Sequence, residues 1–181
     1  MKKLVIGALV GGILVFLWHT LSWTVLQLHS KDYQKAPNEQ AIIQFLNGQF
    51  NADGQYMVPG VDPNASAEEI EKASAAMVGK PWATINYHSS YNANMGMNIM
   101  RGLLVDIIAV FFVCWILLKN SQSTFSSTFV STVLIGVVGY LFIPYSTYIW
   151  YPSPGATINF IDVLISWGLC GLWLGWWLNR K

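Results

Sequence analysis

Two carboxylates stand inside otherwise apolar runs of this chain. Asp106 lies within the run from Arg101 to Lys119, and Asp162 within Phe160-Ile161-Asp162-Val163-Leu164. A charge at the centre of a bilayer costs about 2.5 kcal/mol or more, so each acid needs a partner, a proton or a ligand. His19 falls in the first apolar run and Arg101 at the mouth of the second. Asp106, Asp162, Arg101 and His19 could therefore line a polar pocket that opens outward and holds a cation, a proton or a lipid headgroup. The alternative is packing alone. An acid in the first turns of a helix is favoured by the helix dipole and can bond a neighbouring Ser, Tyr or Trp.

The spacing around these acids repeats. Each Asp is followed eight residues later by a cysteine, Cys114 and Cys170. That pattern suggests a duplicated helical hairpin; two apolar helices can also align by chance. Helical periodicity puts Asp162, Ser166 and Cys170 on one face, and His19, Trp23 and Gln27 on one face of the first helix. Lipid offers such polar stripes no partner, so both are expected to turn inward. Gly7-x-x-x-Gly11 and Gly171-x-x-x-Gly175 have the small-residue spacing that lets helices approach closely, which predicts a contact between the first and last helices.

One cluster resembles a metal site. His88 precedes Met95, Met97 and Met100, and thioethers suit copper(I). Flexible methionines also simply fill irregular junctions. The chain has no GxSxG, HExxH, P-loop or GxGxxG pattern. His88 beside Ser89 and Ser90 is a sequence neighbourhood, which says nothing of catalytic geometry. No cofactor is implied, and whether the chain is an enzyme is left open.

The elements that must position these residues follow from composition. Of 181 residues, 54% are hydrophobic and 10% charged, against roughly a quarter charged in a soluble domain. The expected fold is a membrane all-α, four-helix transmembrane bundle with a small α/β extracytoplasmic domain between helices one and two. Residues 1–28 read as an uncleaved first helix, because the apolar run exceeds the roughly 7–15 residues of a signal-peptide core. Residues 29–100 form the polar domain, with seven acids and four lysines. Within it Asn38 opens one helix, Ser66 and Glu69 have capping-box spacing for a second, and Gln55–Val58 and Trp82–His88 read as strands. Helix two spans 101–119, a linker 120–128, helix three 129–143, an aromatic loop 144–156, and helix four with its tail 157–181.

Lys2, Lys3, Lys119, Arg180 and Lys181 flank the runs without a single acid. By the positive-inside rule these flanks face the cytoplasm, which places residues 29–100 in the periplasm of a bacterial inner membrane. No basic cluster suits nucleic acid. The expected partners are the lipid bilayer and either a membrane protein or a second copy of the chain. Tyr145, Tyr148, Trp150 and Tyr151 form an interfacial belt or a docking surface.

Gly11-Gly12 followed by Leu17-Trp18, then Ser22-Trp23 and His29, with Tyr56, Pro59-Gly60 and Pro144-Tyr145, Trp150 and Pro152 before the last helix, together with the two aspartates, resemble a family of uncharacterised bacterial four-helix inner-membrane proteins. The resemblance implies the same helix count and brings no activity. It also implies a small residue at the place of His19, which speaks against a catalytic role there. Three functions stand open on these grounds: an accessory, assembly or structural subunit of a membrane complex, which the absence of visible chemistry favours; a small transporter or lipid-binding protein; and a membrane enzyme acting on a lipid or quinone.

Overall fold

In a computed structural model, which describes residues 1–180, four helices are long and apolar enough to cross a membrane: Lys2–Val25, Met95–Leu117, Phe125–Trp150 and Ala156–Asn179. Lys181, counted above among the cytoplasmic cations, lies outside the described residues. The chain divides into two compact units, residues 35–92 and the remainder.

The larger unit is a row of antiparallel helices. Helix α1 (Lys2–Thr20) packs between α4 (Met95–Leu117) and α7 (Ala156–Asn179), and α7 in turn packs on α5 (Phe125–Tyr140). Small residues set these distances. A Cβ on Gly12 would come within 2.6 Å of the Ile107 Cα, so α1 and α4 touch backbone to backbone there. The cysteines of the repeated spacing are both fully buried, with Sγ of Cys114 and of Cys170 each 3.1 Å from where a Cβ on Gly7 and Gly11 would stand. The two Asp-to-Cys helices thus flank α1 on either side. Helices α4 and α5 scarcely meet, so the two hairpins are not arranged with two-fold symmetry.

The expected contact between the first and last helices is present, α1 packing on α7, but the two glycine motifs do not face each other across it. Gly171 and Gly175 turn toward Phe129 and Phe125 of α5, while Gly7 and Gly11 face α4 and the Trp173 and Trp177 indoles of α7. Bulky indoles stand between the motifs because their N–H groups have acceptors on α1: Trp173 Nε1 donates to the Gly7 carbonyl at 3.1 Å and Trp177 Nε1 to that of Lys3 at 2.8 Å. Lys3 Nζ closes the same end on the carbonyls of Leu178 and Arg180 at 3.2 and 2.6 Å. A cation there meets the negative end of the α7 dipole.

Two spans are extended by π-helical turns, which carry one extra residue per turn. Leu21–Val25 prolongs α1, and Leu141–Tyr145 joins α5 to the short α6 (Ser146–Trp150). The second turn contains Pro144, whose missing N–H ends an ordinary helix but is tolerated in this widened register. Residues 144–150, expected as loop, are therefore helical. Helix α5 also starts earlier than expected, at Phe125, because Thr124 and Ser127 form a capping box.

The smaller unit contains α2 (Glu39–Gln49), α3 (Ala67–Met77) and a two-stranded antiparallel ladder of β1 (Gly54–Val58) and β2 (Ala83–Tyr87). Asn38 caps α2 through Ala41 N–H, and Ser66 with Glu69 forms the capping box of α3. Helix α3 stops at Val78, before Gly79 at φ +76°. Phe50 stacks on Tyr56 at 3.9 Å and meets Tyr87 edge-on, which fastens the end of α2 to the ladder. The unit is narrower than the expected 29–100. Residues 29–34 are tied to α7, and residues 93–100 belong to the larger unit, where Asn94 caps the first turn of α4.

Gly12→Ala is expected to destabilise the detergent-solubilised chain by about 1–3 kcal/mol through overpacking against Ile107. Gly139→Ala, with open space around its Cβ, is expected to be neutral or stabilising by up to about 1 kcal/mol. Thermal unfolding of the two variants side by side measures the difference.

Candidate functional site

The most polar point in the larger unit forms where the end of α1 meets the start of α7. Asp162, one and a half turns into α7, is buried at 4% exposure, and donors surround it. Trp18 Nε1 donates to Oδ1 at 3.0 Å, the Ser22 hydroxyl lies 2.8 and 2.9 Å from the two oxygens, and His29 Nε2 lies 2.8 Å from Oδ2. On the other side of the imidazole, Nδ1 lies 2.7 Å from Oδ2 of Asp32. A carboxylate only accepts, so with one on each nitrogen the ring donates from both and is an imidazolium.

Local structure explains how four residues of one segment reach this point. The π-helical turn shifts Ser22 inward, and its carbonyl accepts from Leu28 N–H at 3.0 Å. Gln27 then adopts a left-handed conformation at φ 49°, ending the helix and sending His29 back toward α7. Trp23 covers the ring of His29, stacked at 3.9 Å and nearly parallel. Asp32 reaches the first turn of α7, where a Cβ on Gly155 would lie 2.6 Å from its Oδ2. Only glycine leaves room for the carboxylate to sit at the positive end of this helix.

Burial by itself would lower the His29 pKa, but the hydrogen bonds and charges of Asp162 and Asp32 outweigh it and hold the group above its ordinary 6.5. Beside Asp32 lies a cavity of about 210 Å³ lined by Trp23, Asp32, Tyr33, Ser153, Pro154, Gly155 and Asn159. Every wall belongs to the larger unit.

The four expected pocket residues do not gather. Asp162 enters the cluster, whereas Asp106 faces another side of α1 and lies 4.0 Å from His19, itself 40% exposed. Arg101 is exposed and makes no ion pair among the described residues. The stripe of Asp162, Ser166 and Cys170 is buried, but the stripe of His19, Trp23 and Gln27 dissolves, because the π-helical turn breaks the four-residue repeat between them. His29 and Asp32 were assigned to the polar domain on composition, and spacing gave them no role. Ser22, Trp23 and His29 did stand in the motif that carried the family resemblance.

Tyr145 and Tyr148 pack at 6.0 Å and line, with Tyr140 and Phe160, a mostly apolar cavity of about 310 Å³. Trp150 and Tyr151 are exposed. His88 lies 3.4 Å from Asp53 in the smaller unit, and Met95, Met97 and Met100 are exposed in the first turns of α4, so the thioethers fan around a helix. Among the described residues no three of His, Cys, Asp and Glu form a metal-binding group. No family model, curated protein or solved structure matches the chain.

Ser22 Oγ is bonded to a carboxylate and not to the imidazole, and both imidazole nitrogens are engaged by carboxylates. The cluster therefore lacks the free base that activates a serine nucleophile. Its chemistry is to hold charge.

Asp162→Asn breaks a buried pair and is expected to cost about 3–5 kcal/mol of stability, against less than about 1 kcal/mol for Asp106→Asn, by chemical or thermal unfolding. A group whose pKa is raised by folding stabilises fully below its unfolded pKa. The His29 contribution is thus present below about pH 6.5 and declines as pH rises through the higher folded value. Wild type should lose stability across that window, and His29→Gln should flatten the slope.

Proposed function

We propose that the chain is a multi-pass inner-membrane protein with cytoplasmic termini and residues 35–92 in the periplasm, and that it binds a small polar ligand in an outward-facing pocket above the Asp32–His29–Asp162 cluster. The observation that carries this reading is the cavity against Asp32, a carboxylate already held in place by His29. Packing alone asks for Asp162 to be satisfied, which Trp18, Ser22 and His29 achieve. It also accounts for Asp32, as the second partner of His29, but not for the open volume beside that carboxylate. The pocket reading keeps Asp162 from the expected set and replaces Asp106, Arg101 and His19 with Asp32, His29 and Trp23. The positive-inside argument from Lys2, Lys3 and Lys119 supports the orientation.

The second reading is an accessory subunit of a membrane complex. It is favoured by large exposed side chains around α6: Phe142 at 80%, Ile143 at 66% and Trp150 at 74%. A transmembrane partner helix would cover such a surface, as would lipid. The third, an enzyme acting on a lipid or quinone, has no activated nucleophile in the cluster to support it.

Mass spectrometry of the full chain purified in mild detergent tests the choice. A small molecule or lipid retained by wild type and lost from Asp32→Asn is the expected result. A stoichiometric protein partner with no retained ligand would replace the first reading by the second. Reporter fusions at residue 60 and at the C-terminus should report opposite sides of the membrane.

A further inference from the structure

The cluster is not neutral. Asp32 and Asp162 share a single imidazolium, which leaves one surplus negative charge. The N-terminus of α7 beside Asp32 offsets roughly half of it. Among the described residues no Lys or Arg forms an ion pair with either carboxylate. A part-buried charge left uncompensated is costly, and the empty volume lies beside the carboxylate that carries it.

The walls of that volume specify what fits. Trp23 and Tyr33 bring aromatic rings, whose faces attract cations. Ser153 and Asn159 bring oxygen atoms that can accept from N–H groups. No cationic side chain lines it, and the Asp32 carboxylate would repel an anion. At about 210 Å³ the cavity is smaller than the roughly 300–1,000 Å³ of drug-sized sites. It takes a headgroup-sized molecule and not an acyl chain.

We propose that this cavity binds a small ammonium group, on a free amine or on a lipid headgroup, between the Asp32 carboxylate and the rings of Trp23 and Tyr33. The assignment rests on the pocket reading above and names its ligand class. It differs from the Asp106, Arg101 and His19 pocket in both residues and place. The ligand supplies the positive charge that the cluster lacks, so its binding tightens the joint between α1 and α7.

Calorimetry and thermal unfolding of the full chain in detergent, with choline and ethanolamine as probes, test this against 3,3-dimethylbutan-1-ol, the uncharged isostere of choline. The same chain in nanodiscs of phosphatidylethanolamine or of phosphatidylglycerol alone tests the lipid source. The expected result is stabilisation by the ammonium probes in detergent if the ligand is a free amine, or by the phosphatidylethanolamine discs alone if it is a headgroup. Asp32→Asn should weaken binding about tenfold or more. Because that change also touches His29, Tyr33→Ala is the second variant. Its side chain is 80% exposed, so the fold should persist while affinity falls roughly two- to fivefold. Equal binding of the uncharged isostere would overturn the ammonium assignment and leave the pocket standing. Failure of every solute and both lipids to bind would overturn both.

Discussion

A carboxylate buried within an apolar helix must find donors inside the protein, and in this molecule that requirement organises the end of the larger unit where α1 finishes and α7 begins. Asp162 takes three donors, all from one stretch of chain around the end of α1. To deliver them, α1 widens into a π-helical turn, reverses at Gln27 and folds His29 back under Trp23. The imidazole then needs its own second partner, which fixes Asp32, and Asp32 needs space, which fixes a glycine at position 155. Each element is the consequence of satisfying the one before it. The cluster is a chain of obligations that starts from one acid.

The opposite end is held by other means. There the indoles of Trp173 and Trp177 donate to α1 carbonyls, and Lys3 covers the last carbonyls of α7. Between the two ends the helices meet through Gly7, Gly11 and Gly12, where van der Waals contact replaces hydrogen bonding. Helices in lipid gain little from the hydrophobic effect, so close approach and polar ties must carry their association. Helix α1 is the common member of both. It touches α4 through glycine and α7 through both glycine and polar side chains, while α5 packs chiefly on α7.

Much of this architecture is legible in the residues. The four spans, both helices of the small unit and the capping box of Ser66 and Glu69 follow from apolar run length, spacing and local donors. Asp162 is visible because an acid in an apolar run stands out. What the sequence conceals is the partner of that acid. His29 and Asp32 sit in a polar stretch where such residues are ordinary, and their role arises from a backbone reversal that no periodicity announces. The π-helical turn has the same effect on His19, Trp23 and Gln27, whose i, i+4, i+8 spacing presumes a regular helix. The glycine motifs announce the contact between α1 and α7 but not the surfaces that make it. Small residues reveal that something approaches closely, and they do not say whether it is another glycine or an indole ring.

The order in which the chain is made gives the cluster a temporal side. Synthesis releases α1 first and α7 last, with more than a hundred residues between Ser22 and Asp162. The glycine face of α1 can engage α4 as soon as that helix has formed. Trp18, Ser22 and His29 must wait, their donors unanswered, until the final span arrives. Helix α7 therefore completes α1, and a chain cut short before α7 would leave those donors unpaired as a mark of unfinished assembly.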